Sequence, residues 1–338
     1  MLVPFMFGPT PLRDIFLVAG FELRELARSK RALMFAALYM LVAAVGSYGF
    51  VELISRVPLP PSPNQIRRDR GGPFSNFNQP TPSRPDPAAT GTAGAAAKPQ
   101  QARLFQRDSP FRGILSGSVD EQDAVDFLAA MPAITLLHML ISILIRPLVI
   151  MITSSESISQ EHQSRGVRYV ALRTGRAEFV LGKILGQGVT MALTTLLAGA
   201  VCMAIAAWRL QDFEFFPTLS ALFLFWPRLL AYCFAFLGLA GLCSMNTNST
   251  VGSRTFSLIG LVSLWFISHL VNVYIDYLDV TGGWARLLRA IDFFSPFSHQ
   301  NDLWYPEVAR YGGAMASLIF LGAFYLAIGL INYRERDL

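Results

Sequence analysis

The sequence predicts an all-α integral membrane protein with six transmembrane helices, and three observations carry that prediction. Of its 338 residues, 53% are hydrophobic and only 15% charged, a balance suited to a chain solvated by lipid. The apolar residues gather into six separate runs, each near or above the roughly 18 residues needed to cross about 30 Å of hydrocarbon. Lys and Arg concentrate at alternate ends of those runs, as expected where basic residues mark the cytoplasmic loops.

Residues 1–31 precede the first run. Within them Leu12, Ile15, Phe16, Ala19, Leu23 and Leu26 recur at helical spacing, opposite Arg13, Asp14, Glu22, Arg24, Glu25 and Arg28. That pattern predicts an amphipathic helix lying along the inner membrane interface; an ordinary helix packed on protein is the alternative that periodicity leaves open. Residues 32–54 form the first span. Arg24, Arg28, Lys30 and Arg31 precede it and no small-residue cleavage site follows, so an uncleaved span is expected rather than a signal peptide. Residues 55–127 are rich in Pro, Gly, Ala, Ser and Gln, and such a segment buries too little apolar surface to offset its ordering entropy. A largely disordered extracytoplasmic loop is expected there, with residues 104–115 docking on the spans and 119–127 forming a short helix. Folding on a periplasmic partner is the other reading of this loop.

The remaining spans are expected at residues 128–153, 184–208, 219–244, 255–275 and 313–332. A charged cytoplasmic segment occupies 154–183, an outer loop 276–312, and a short tail 333–338. Six spans place both termini on one side. Arg13, Arg24, Arg28, Lys30, Arg31, Arg165, Arg168, Arg173, Arg176, Lys183, Arg254, Arg334 and Arg336 fall on that side, which predicts cytoplasmic termini. The formal charge of +5 sits at span ends, where topology and the anionic lipid bilayer account for it, so nucleic acid is excluded as a partner.

Inside the spans, Arg146 in LIRPLVI and Arg228 in FWPRLLA stand out, each beside a proline. A guanidinium at membrane depth costs about 2.5–3.5 kcal/mol on insertion scales, so each needs a role: snorkelling or a structural pairing on one reading, a charge lining a pathway on the other, with Pro147 and Pro227 kinking their helices. His138 and His269 lie in spans, His162 and His299 in loops, and none has metal-site spacing. Cys202, Cys233 and Cys243 show no paired spacing either. A phosphate-binding loop needs Gly, four residues, then Gly-Lys-Ser/Thr. Here Gly182-Lys183 has Ala177 in the leading position and Ile184 after the lysine. The chain is therefore expected to be no enzyme and to bind no cofactor itself, any ATP energy entering through a partner.

Residues 154–183 read as a short helix, a turn near Arg173–Gly175 and a second helix running into the third span, with Ile158, Val167, Tyr169, Val170, Leu172 and Phe179 as an apolar face among charges. Periodicity alone leaves open whether that face meets a protein or lipid headgroups. Ser159, Glu161, Gly166, Leu172, Arg176, Glu178, Leu181, Gly182 and Lys183 resemble the segment that follows the second span in type-2 ABC exporter permeases. The interfacial N-terminal helix, the SPF at 295–297 and the tail NYRERDL are similar too. Departures are Val167 where the family has Thr, Gly175 in place of a Pro turn, and the long first outer loop, which suggests a specialised branch.

The resemblance implies a cytoplasmic coupling helix seated in an ATPase groove, with Glu161, Gly166, Arg168, Tyr169, Leu172 and Arg176 as the coupling residues, and short re-entrant helices in the outer loop. It further implies two ABC ATPase subunits carrying ATP and Mg, a homodimer or a heterodimer with a paralogous permease, and export or extrusion of a substrate. Two other classes stay in view: a non-transporting component of an ATPase-driven envelope or motility machine, and an ion-coupled carrier, which the absence of intramembrane acids disfavours.

Overall fold

The computed structural model describes residues 11–56, 122–163, 175–210, 213–277 and 283–335. Among these the fold is all-helical. The elements are α1 (Pro11–Arg28), α2 (Lys30–Arg56), α3 (Gln122–Ala130), α4 (Ala133–Ser154), α5 (Glu156–Gln163), α6 (Arg176–Arg209), α7 (Phe215–Asn246), α8 (Thr250–Tyr277), α9 (Gly283–Phe293), two 3₁₀ turns at Pro296–His299 and Asn301–Trp304, and α10 (Val308–Glu335). Six of them, α2, α4, α6, α7, α8 and α10, are long and apolar enough to cross a membrane.

Helix ends differ from the expected spans where polar residues prolong a helix or proline cuts it. A helix is expected from 119, running into a span at 128; the chain instead breaks at Met131–Pro132 and restarts as α4, because proline is disfavoured within a helix but tolerated at its start. α6 begins at Arg176, directly after the turn expected near Arg173–Gly175, and runs unbroken into the span expected from 184, with Gly175 in extended conformation before it. Its 34 residues extend roughly 50 Å at 1.5 Å per residue, well beyond a hydrocarbon core, so charged and membrane-spanning parts share one rod. Pro147 and Pro227 both lie inside continuous helices.

The core is built where helices approach without side chains between them. α7 and α10 meet at Gly238 and Gly322, where a Cβ on Gly238 would run into the Gly322 backbone and one on Gly322 would stand 2.6 Å from the Phe234 ring. α1 crosses α6 over Gly182 and Gly186, where added Cβ atoms would meet Val18, the Ile15 carbonyl, Glu22 and the Ala19 carbonyl. Small residues four apart let membrane helices close on each other in this way.

At the end of the bundle opposite α5, Arg228 of α7 is buried. Its Nη1 donates to the carbonyls of Leu303 at 2.7 Å and Tyr305 at 3.1 Å, and its guanidinium lies 3.9 Å from the Tyr311 ring centroid. It fastens the second 3₁₀ turn to the spans by serving carbonyls that no helix ladder uses. Arg228→Met is expected to lower stability by about 1–3 kcal/mol, the penalty for stranding buried acceptors, and to speed amide exchange across 296–305. Unchanged exchange there would contradict this anchoring role.

Candidate functional site

The charged segment expected at 154–183 is described in two pieces. α5 takes its first part and the first two turns of α6 its last, while Gly166, Arg168, Tyr169 and Leu172 lie outside the described residues. α5 has eight residues, too few for an isolated helix to persist in water, and its neighbours supply what it lacks. The amides of Ile158 and Ser159 donate to Ser244 Oγ on α7 at 3.1 and 3.0 Å, which satisfies first-turn donors that no carbonyl of the helix can reach. Ser253 at the start of α8 donates its hydroxyl to the Ser155 carbonyl. Thr250 donates to Gln163 Oε1 at 3.3 Å.

Two acids fix the rest of α5. Glu156 binds the guanidinium of Arg254 on α8 and lies 3.5 Å from Arg31 on α2. Glu161, one of the predicted coupling residues, lies 3.3 Å from Lys183 Nζ. Lys183 in turn donates to Glu22 Oε2 at 2.8 Å, and Gln187 Nε2 donates to Glu22 Oε1 at 3.3 Å. The Lys183 and Glu22 side chains are each only 5% exposed, so their attraction acts with little screening.

Glu22 therefore does not sit on a solvated polar face, as the helical pattern of α1 suggests. The crossing over Gly182 and Gly186 turns Glu22 onto α6, and Lys183, between those glycines, meets it. That Gly-Lys-Ile-Leu-Gly run was the available signal for this contact. Arg176, also a predicted coupling residue, donates to the Tyr333 carbonyl of α10 at 3.4 Å. α5 is thus joined by side-chain contacts to α2, α6, α7 and α8, and through Lys183 to α1.

Arg146 lies deeper, 2% exposed. Its Nη1 donates to Thr194 Oγ1 at 2.9 Å and its guanidinium stacks 3.7 Å from the Tyr39 ring centroid; Tyr39 in turn hydrogen-bonds Ser142 at 2.7 Å. Neither Arg146 nor Arg228 is paired with a carboxylate among the described residues. Each charge is met by hydroxyls, carbonyls or aromatic faces that join helices. No three His, Cys, Asp or Glu side chains among the described residues group as metal ligands.

An all-helical bundle of six candidate spans with a short polar helix lashed across one end is now joined by a sequence match. Residues 81–331, well over half of the chain, match the family described as ABC-2 family transporter protein. The chain belongs to that family. No curated protein matches it. As an ABC-2 family member it is a multi-pass membrane protein and a membrane permease component of an ABC transporter. ABC-2 permeases associate with an ABC ATPase, the subunit type that carries the catalytic site in such transporters.

Proposed function

We propose that this ABC-2 permease is the transmembrane subunit of an exporter, with residues 154–183 as the segment that receives movement from the ATPase. The observation that carries the reading is the attachment of α5. A push on it cannot be absorbed locally, because Ser244, Arg254, Arg31 and Lys183 pass it to α7, α8, α2 and α6. On this reading Glu161 and Arg176 transmit force within the permease, while Gly166, Arg168, Tyr169 and Leu172 meet the ATPase. ATP and Mg stay on two ATPase copies, and two permease copies, identical or paralogous, form the pathway. α8 suits the second permease copy, since it leaves Phe256, Ile259, Val262, Trp265 and Phe266 exposed. The termini and α5 then face the cytoplasm of a bacterial inner membrane, and the 55–127 loop faces periplasmic partners. Arg146 and Arg228 are assigned to holding helices together rather than to the pathway.

The test is recovery of the ATPase with tagged permease from the native membrane. Arg168→Glu is expected to reduce that recovery about tenfold or more, since like charges set against each other across an interface cost several kcal/mol. Equal recovery would remove Arg168 from the contact. Failure of the unaltered chain to bring down any P-loop ATPase would remove the exporter reading.

A further inference from the structure

The junction of α1, α2, α5 and α6 lines a partly open cavity of about 400 Å³ that the contacts described above leave unfilled. Its charged walls are of two kinds. Glu22, Glu156 and Glu161 are each held by Lys183, Arg31 or Arg254. Glu25, at the end of α1, has no ion pair among the described residues, and neither has Lys30, the first residue of α2. Glu25 is exposed overall, but partial desolvation of its carboxyl raises it above its ordinary value, with Lys183 pulling it partly back and Glu22 and Glu161 pushing it further up. Arg31 touches Glu156 at 3.5 Å but keeps 74% of its side chain exposed.

The uncharged walls add two constraints. Gln187 is 2% exposed and its Oε1 has no hydrogen-bond partner, so a buried acceptor at the cavity wall awaits a donor. Leu26 near the end of α1 and Ala32 and Phe35 in the first turns of α2 form an apolar side.

We propose that this cavity binds the headgroup of a lipid bearing both a primary ammonium and a phosphate, of the phosphatidylethanolamine type. Glu25 takes the ammonium, Lys30 and Arg31 take the phosphate, and the acyl chains run past Leu26 and Phe35. A purely anionic headgroup would leave Glu25 unmatched. A choline headgroup offers no N–H to Glu25 or Gln187. Ser157 and Gln160 of α5 line the same cavity, so a bound headgroup also stiffens the helix assigned to coupling. The inference rests on the reading that this end of the bundle lies at a membrane surface; it does not require the ATPase.

Native mass spectrometry of the full chain, titrated with phosphatidylethanolamine, phosphatidylcholine or phosphatidylglycerol, tests it. Phosphatidylethanolamine is expected to bind about tenfold or more tightly than the other two, as loss of a charge-assisted hydrogen bond implies. Glu25→Gln is expected to bring it down to the phosphatidylcholine level, and Lys30→Gln with Arg31→Gln to weaken all three together. Both sites are exposed enough for the variants to fold. Equal or tighter binding of phosphatidylglycerol, or a preference that survives Glu25→Gln, would overturn the proposal. Soluble glycerophosphoethanolamine binding as tightly as the lipid would overturn the lipid as occupant. Because no ATPase enters the measurement, its failure leaves the exporter reading to its own test.

Discussion

Lys183→Met is expected to destabilise the folded chain by about 3–5 kcal/mol, because it strands Glu22 as a buried carboxylate without its cation. Glu22 is 4% exposed and its second oxygen already receives Gln187, and a neutral amide does not replace the lost positive charge. Glu161 loses its 3.3 Å contact at the same time, which removes one of the ties that hold α5. The cost belongs to the stranded charge more than to the pair, and this gives the experiment its control. Replacing both partners, Glu22→Leu with Lys183→Met, is expected to recover most of the loss, since a buried ion pair exchanged for apolar residues of similar volume is often neutral or better. Thermal unfolding of the two singles and the double in one detergent closes the cycle. A neutral Lys183→Met would mean that the pair does not hold α1 to α6. A double variant that folds well yet no longer answers to its ATPase would place the pair in transmission.

Gly238→Leu is expected to cost about 3 kcal/mol, the upper part of the range for overpacking a close-packed interior. The obstruction is backbone, since a Cβ at this position would already meet the Gly322 carbonyl, and no rotamer change relieves that. α7 and α10 must then separate along their length, loosening Gly241 against Leu326 and Gly329 against Met245. Gly49→Ala on α2 is the matched control. Nothing lies within 4 Å of a Cβ there, so the substitution is expected to stabilise by about 0.5–1 kcal/mol through backbone entropy and helix propensity. Opposite signs at the two glycines separate packing from propensity; equal signs would mean that the α7–α10 approach is not close in solution.

The six spans were legible because hydrocarbon imposes a length and a polarity that a local window of sequence must satisfy by itself. Arg146 and Arg228 were legible as exceptions for the same reason. Their partners were not, because Thr194 and the Leu303 and Tyr305 carbonyls lie 48, 75 and 77 residues away, and a carbonyl carries no sequence signature. Of the predicted coupling residues, Glu161 and Arg176 prove to be tied to other parts of the permease itself. Gly182 and Lys183 entered as motif letters; the structure adds why they stand together, one removing a side chain so that α1 can approach and the other meeting the acid that α1 brings.

The sequence by itself determined the all-helical membrane fold and the six candidate spans found among the described residues, since each depends on residues close together in the chain. Only the tertiary structure decided that Glu22 is buried, that Ser244 caps α5 from another helix, and that Glu25 and Lys30 face one cavity. Those depend on which faces the helices turn to one another, and a period of 3.6 residues names a face without naming what it meets.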